Sequence, residues 1–143
     1  MEQDFQLILL AKDRMEEIIP LVVLLNNNSI PAPLLRDRLI PMLANGYQCL
    51  GVYHKGQLIG ISGFWILHKF YVGKHVEPDN VFIMPEYRSS GVGKLMIDWI
   101  ISYARSIDCT VSEVNCYIKN ERGKQFWMNQ GYEAIGYHMQ KVL

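Results

Sequence analysis

Apolar and polar positions divide the chain into alternating strand-like and helix-like stretches. Residues 5–11 form an apolar-rich run suited to a first strand. Asp13 stands three residues before Glu16, the spacing of a capping box, and Met15, Ile18, Ile19 and Val22 follow at helical intervals. Pro20 should kink or shorten this helix, because it has no N–H to donate, and Asn26-Asn27-Asn28 marks its end. A second short helix is expected from about Pro33, with Leu35, Leu39, Met42 and Leu43 on one face and Gly46 as its stop. Residues 47–53 and 57–70 read as strands joined by a hairpin turn at His54-Lys55-Gly56. The chain turns again at Val72-Gly73-Lys74 into a strand ending in Val81-Phe82-Ile83-Met84, apolar throughout and so expected to be buried on both faces.

The most regular helical pattern follows. Val92, Leu95, Met96, Trp99, Ile100, Tyr103 and Ala104 fall on one side, and Lys94, Asp98, Ser102 and Arg105 on the other. Residues 111–119 then read as a strand and 121–130 as a helix, with Asn120 suited to its N-cap and Gly131 to its C′ position. Residues 132–142 close the pattern as a final strand. The order βααβββαβαβ implies an α/β sheet with helices packed on it.

At 143 residues there is room for one domain, residues 1–143. Half the residues are hydrophobic and 20% are charged, which fits a globular protein with a real core and excludes the disordered class. The 14 basic residues are balanced by 14 acidic ones without a dense basic run, which argues against nucleic acid as a partner. No stretch approaches the roughly 20 apolar residues of a membrane helix, and the acidic Glu2 and Asp4 do not read as a signal peptide. Cys49, Cys109 and Cys116 are odd in number and lack metal-ligand spacing, as expected for reduced thiols in a cytoplasmic protein. His54, His68, His75 and His138 are scattered, so no metal site is expected.

The densest chemical signal is Met84-Pro85-Glu86-Tyr87-Arg88-Ser89-Ser90-Gly91-Val92-Gly93-Lys94, where a strand passes into the strongest helix. Such a junction presents unpaired backbone N–H groups and the positive end of a helix dipole, which together bind phosphate. Gly91 and Gly93 would let a phosphate approach the backbone, Ser89 and Ser90 would add hydroxyl donors, and Lys94 a positive charge. The turn lacks both the Gly-Lys-Ser/Thr ending of a P-loop and the third glycine of a dinucleotide fingerprint. Taken alone, an ordinary strand-to-helix turn accounts for it equally well.

A second stretch changes the weight of the first. Arg88-Ser89-Ser90-Gly91-Val92-Gly93 resembles the Gln/Arg-x-x-Gly-x-Gly/Ala pyrophosphate motif of the GNAT superfamily of N-acetyltransferases. Val81-Phe82-Ile83-Met84-Pro85-Glu86-Tyr87 resembles that family's fourth strand and its approach to the loop. Asn120-Glu121-Arg122-Gly123-Lys124-Gln125-Phe126-Trp127-Met128-Asn129-Gln130-Gly131-Tyr132 resembles its closing signature, Asn-x-x-Ala-x-x-Phe-Tyr-x-x-x-Gly-Phe. The resemblance covers nearly the whole chain. It implies the GNAT fold, an α/β mixed sheet whose fourth and fifth strands splay apart, with helices on both faces. It also implies acetyl-coenzyme A as cosubstrate. Residues 89–94 would hold its pyrophosphate after Arg88, and Val81, Phe82 and Ile83 would pair with its pantetheine arm. Asn120, Gly123 and Trp127 would flank it from the other side, with the helix-cap role of Asn120 compatible with that contact.

Acetyl transfer needs a neutral amine, and neutralising an alkylamine of pKa near 10.4 at pH 7 costs roughly 4–5 kcal/mol. A base is therefore expected near the end of the fourth strand. Asp79, nine residues before Arg88, is the first candidate, at a position where relatives resembling the diamine acetyltransferases carry glutamate; Glu77 is the runner-up and His75 the third. A polar strand end is the alternative reading of Glu77-Pro78-Asp79-Asn80. Trp127 departs from the family pattern, which often has tyrosine there, and an indole cannot act as a general acid. Tyr117, Tyr132 and Tyr137 lie in the right region, but a core role is expected for each.

The function implied is transfer of an acetyl group to a primary amine of a small molecule or peptide by direct attack in a ternary complex. A non-catalytic acyl-coenzyme A sensor of the same fold, or an N-acyltransferase for another acyl group, would carry the same motifs. The acceptor should meet residues 26–35 and 68–75, with Phe64, Trp65, Phe70 and Tyr71 as candidate lining, at least half of them also expected in the strand core. A homodimer could form through the apolar strand 59–67 or through the C-terminal strand.

Overall fold

A computed structural model describes residues 4–143; Glu2 of the acidic start lies outside them. A five-stranded sheet runs in the order β1 (Phe5–Leu9), β2 (Gln48–His54), β3 (Gln57–Lys69), β4 (Gly73–Ile83), β5 (Val111–Ser112). Successive strands are antiparallel except for the parallel pair β4–β5. Helices α1 (Ile19–Leu25) and α2 (Ala32–Ala44) cover one face, and α3 (Val92–Ser106) covers the other; α4 (Glu121–Asn129) follows β5. Among the described residues no helix is long and apolar enough to cross a membrane.

The sheet centre is buried on both sides because helices lie on both. Neighbouring residues of β2 divide between the two cores: Cys49 packs with Met15 and Ile18 under α1 and α2, whereas Leu50 and Val52 pack with Met96 and Ile100 under α3. The β2–β3 hairpin turns through Lys55 at φ 51° and Gly56 at φ 76°, the left-handed pair that suits the strands' twist.

The expected capping box does not form. Residues Lys12–Ile18 make a 3-10 helix whose N-cap, Ala11, has no side-chain bond. The Glu16 carboxylate pairs with Arg36 of α2 at 2.8 Å instead, and its carbonyl accepts the Ile19 N–H. Pro20 has no N–H to close an α-helical bond onto Glu16, so the α-helix begins only at Ile19. On α3 the buried stripe is Val92, Gly93, Met96, Ile97, Ile100 and Ala104. Leu95, read from the sequence as inward, is 44% exposed at the stripe's margin, and Ile97 takes the inward place.

Three expectations about strands fail, two because no neighbour arrives and one because both neighbours are already in place. Residues 113–119 are not a strand: β5 stops after Ser112, beyond which only the Glu113 N–H still reaches β4, at Val76 O. Residues 132–142 form no strand either, and each residue from Glu133 to Leu143 is exposed. The 59–67 segment cannot supply a dimer edge, because β3 lies between β2 and β4.

One close approach fixes the sheet's geometry near its centre. The Tyr47 hydroxyl lies across Gly63, where a Cβ would stand 2.0 Å from that oxygen. Gly63→Ala should therefore destabilise the fold by about 1–3 kcal/mol, read as a lower urea midpoint. An unchanged midpoint would mean that the Tyr47 ring is free to swing away.

Candidate active site

The end of β4 leads through a 3-10 turn, Pro85–Tyr87, into the loop that opens α3. Tyr87 pins this loop to β2, its hydroxyl 2.8 Å from His54 Nδ1. Arg88 turns back rather than outward: its Nε donates to Ile83 O at 3.0 Å and its guanidinium lies over the Phe82 ring. Ser90 donates its hydroxyl to Tyr87 O. Lys94 pairs with Asp98 at 2.5 Å. Three of the side chains expected to meet a phosphate are thus engaged within the loop and helix.

The main chain remains available. Ser89 at φ 64° and Gly91 at φ 87° bend the loop through left-handed conformations, and the first helical bond of α3 is Leu95 N–H to Gly91 O. The N–H groups of Val92, Gly93 and Lys94 precede it, at the positive end of the helix. Nothing lies within 4 Å of a Cβ placed on Gly91, so the space over that backbone is open. Gly93 has another reason to be glycine: a Cβ there would stand 2.7 Å from the Phe126 ring, so its bareness seats α4 against α3.

Strands β4 and β5 are paired only at His75–Val111 and Val76–Ser112. From Glu77 to Ile83 the β5-facing edge of β4 has no strand partner, a gap that ends at the α3 loop. Asn120 caps α4, its Oδ1 accepting the Gly123 N–H at 2.9 Å, and a Cβ on Gly123 would clash with that side chain at 2.4 Å. Trp127 packs edge-on against Phe126 and Tyr132, with ring centres 5.0 and 5.2 Å away.

Both carboxylates lie where the strands part. Asp79 is exposed, and its Oδ2 accepts the Trp65 indole N–H at 3.0 Å. Glu77 is only 18% exposed; Asn115 donates to its Oε1 at 3.3 Å. His75 is fully buried; its Nδ1 lies 3.4 Å from Gly73 O, while Nε2, 3.7 Å from both Glu77 Oε2 and Glu113 Oε1, has no hydrogen-bond partner. Two carboxylates thus share one imidazole nitrogen as their neighbour.

Two residues that sequence reasoning missed share this face. Tyr47 donates to Asn80 Oδ1 at 3.1 Å and lies tilted against Trp65. Both line a cavity of about 170 Å³ with Ile19, Ile30, Leu39 and Arg38. The bare Gly63 in a strand interior was the available signal for so close an approach. Asn26, Ile30 and Leu35 of the expected acceptor segment do line this cavity. From the 68–75 segment, Phe70 is exposed by 111%, and Tyr71, exposed by 64%, donates its hydroxyl to Glu113 Oε1, so neither lines this cavity. A larger cavity of about 370 Å³ under β1, lined by Leu10, Met15 and Gln48, also borders Tyr47; neither cavity is lined by Glu77 or Asp79, and the smaller one comes nearest to them through Asn80, next to Asp79 in the chain. Of the tyrosines expected in the core, Tyr117 and Tyr137 are exposed, and only Tyr132 is partly buried, hydrogen-bonded to Ser112.

Burial, with smaller contributions from Cys49 and Asp79, raises the Tyr47 phenol well above its usual range. Burial likewise pushes the Cys49 thiol up to about 12, and burial is the leading cause that raises Cys109 and Cys116. None of the three is an activated thiolate, so a covalent acyl-cysteine route has no support here.

The chain matches the acetyltransferase (GNAT) family over residues 16–132. It is a GNAT acetyltransferase by family. Solved structures agree in fold. An aminoglycoside N-acetyltransferase, AAC(6')-Iy, determined in complex with CoA, is 18% identical with a TM-score of 0.84, covering 100% of this chain and 97% of that one. A ribosomal-protein-alanine N-acetyltransferase from Brucella melitensis is 19% identical with a TM-score of 0.79, covering 98% and 99%. Glucosamine-6-phosphate N-acetyltransferase from Arabidopsis thaliana is 18% identical with a TM-score of 0.74, also covering 98% and 99%. No curated protein sequence matches the chain significantly.

Because the Cys49 thiol rises from 9.0 to about 12 on folding, its contribution to stability is complete below about pH 9 and is lost as pH climbs towards 12. Tyr47 adds to the same alkaline loss, since its folded value is also raised. Denaturation of the wild type between pH 9 and 12 should show stability falling, with Cys49→Ala flattening the slope by up to about 1.4 kcal/mol per pH unit. Equal slopes for the two proteins would show that the thiol titrates alike in both states.

Proposed function

We propose that this GNAT acetyltransferase transfers the acetyl group of acetyl-coenzyme A to a primary amine of a small molecule or peptide, by direct attack with both substrates bound. One observation carries the reading: the open edge of β4 runs from the bare loop at Gly91 to Glu77 and Asp79, beside the Tyr47–Asn80 cavity. The free thiols would suit a cytoplasmic setting.

The residues fit the cosubstrate by main-chain chemistry. The N–H groups of Val92, Gly93 and Lys94 would hold the pyrophosphate over the open space at Gly91. On the edge of β4 that faces away from β3, backbone around Val81, Phe82 and Ile83 would pair with the pantetheine arm as an added strand, with Arg88 releasing Ile83 O. Asn120, Gly123 and Trp127 would bound it from α4. Acetyl-coenzyme A supplies the acyl group as a thioester, and a β4 backbone N–H would offset the negative charge that builds on its oxygen.

Glu77 takes first place as the base, directly or through one water, and Asp79 second. Each carboxylate has one oxygen held, Glu77 by Asn115 and Asp79 by Trp65, but Glu77 is the more buried of the two and its bond is the longer. Trp127 has no proton to give, so the thiolate would leave unassisted. A cavity of about 170 Å³, apolar apart from Arg38, Asn26, Asn80 and the Tyr47 hydroxyl, suits a small amine or a single peptide end. Arg38 would repel an acceptor carrying several positive charges.

Trp127 favours a second reading, a module that binds acyl-coenzyme A without turnover. Calorimetry with acetyl-coenzyme A should give micromolar binding that Gly91→Glu abolishes while its circular dichroism is kept; no binding to the wild type would overturn both readings. With an acceptor found by free-thiol release across an amine panel, Glu77→Gln should lower kcat by about 10²–10⁴ at pH 7 and recover towards high pH. Asp79→Asn should cost less, and neither should shift acetyl-coenzyme A affinity. Release that no amine stimulates would leave the binding module standing alone.

A further inference from the structure

We infer that the acceptor is a zwitterion, a small amine carrying its own carboxylate on an apolar body, and that Arg38 is the residue that selects it. The inference rests on the acetyl-transfer reading for the fate of the amine, but not for the binding of the carboxylate.

The cavity of about 170 Å³ between α1, α2 and β4 has a single charged residue in its lining, and that residue is a cation, Arg38 of α2. No acidic side chain lines it. Its other polar groups are neutral and already engaged: Asn26 donates its amide to Val22 O at 2.9 Å, and Tyr47 donates its hydroxyl to Asn80 Oδ1 at 3.1 Å. No ion pair among the described residues engages Arg38, whereas Arg36, earlier on the same helix, holds Glu16 at 2.8 Å. Arg38 is exposed as well as lining the cavity, which puts its charge at the mouth.

On the β4 side the sign of charge reverses. Trp65 packs against the core under α1 and α2 and against Tyr47 of the lining, and its register partner on β4 is Glu77. Asp79 stands opposite Gly63 in the same register and holds the Trp65 indole. Directly opposed residues of an antiparallel pair share a face, so both carboxylates belong to the sheet face that the cavity covers, beyond Asn80. A simple alkylamine arrives as an ammonium ion and meets the guanidinium first, which repels it. An amine with a carboxylate on the same body is drawn in by that charge. It then lies with its carboxylate at Arg38, whose paired N–H donors match the two oxygens, and its amine towards Glu77 and Asp79. Between these ends Ile19, Val22, Leu39 and Met42 offer only hydrocarbon, so the body joining the two groups is apolar.

Leucine, phenylalanine, β-alanine and γ-aminobutyrate are compared as acceptors with their carboxamides, which keep the size and lose the negative charge. Free-thiol release from acetyl-coenzyme A should favour at least one acid over its amide by about 10-fold or more in kcat/KM, mostly through KM. Arg38→Met should cut that preference by about 10–100-fold, and Arg38→Lys should keep part of it. Binding is read separately, by saturation-transfer NMR of isovalerate against isovaleramide on the full chain loaded with coenzyme A. Binding of isovalerate that Arg38→Met removes, without thiol release from any acceptor, would keep the carboxylate site while the transfer reading fell. Three results would overturn the inference: amides used as well as the acids, acids ignored in both assays, or a preference that survives in Arg38→Met.

Discussion

The parting of β4 from β5 is the constraint on which the rest depends. Two parallel strands normally continue side by side, since each added residue pairs another backbone group. Here the pairing ends after Val76 and Ser112. One edge of β4 is consequently left open within the body of the sheet. The carboxylates of Glu77 and Asp79 stand at the near end of that opening, and the loop into α3 at the far end. Buried backbone seeks a partner, so a groove of this kind is inherently a binding feature, with an extended ligand as its natural complement.

Keeping the strands apart requires the elements beyond them to be wedged firmly. Phe126 of α4 lies over Gly93 at the head of α3. Asn120 and Gly123 close the first turn of α4 so tightly that neither tolerates a larger neighbour. On the opposite face, Tyr47 over Gly63 holds the sheet close to Asn80, which has φ 58° beside the β3–β4 irregularity. Glycines here serve mainly to let an aromatic ring or an amide come near.

What the sequence made legible was what local chemistry decides. The hairpin at Lys55-Gly56, the run of α3 and the Asn120 cap were readable because each is set by a few neighbouring residues. The family was readable because its loop motif and closing signature lie in order. The strand at 113–119 was not, since alternation reports a suitable face and cannot report whether a neighbour arrives. Tyr47 and Asn80 meet across 33 residues of chain, a pairing that no local pattern encodes. Arg88, Ser90 and Lys94 were read as ligands because of their types, but each finds a partner within five residues, and the local bond wins over the anticipated one.

The two sides of the groove are made of different material. Along the loop and β4 it is main chain, whose N–H and C=O groups are the same whatever side chains flank them. Around the cavity it is side chains: Tyr47, Asn80, Arg38 and the apolar faces of α1 and α2. A substitution at the cavity can therefore redraw what fits there while the other side keeps its chemistry. On the proposed reading, such a scaffold would be free to change its acceptor without renegotiating the cosubstrate, so its selectivity could drift in single steps.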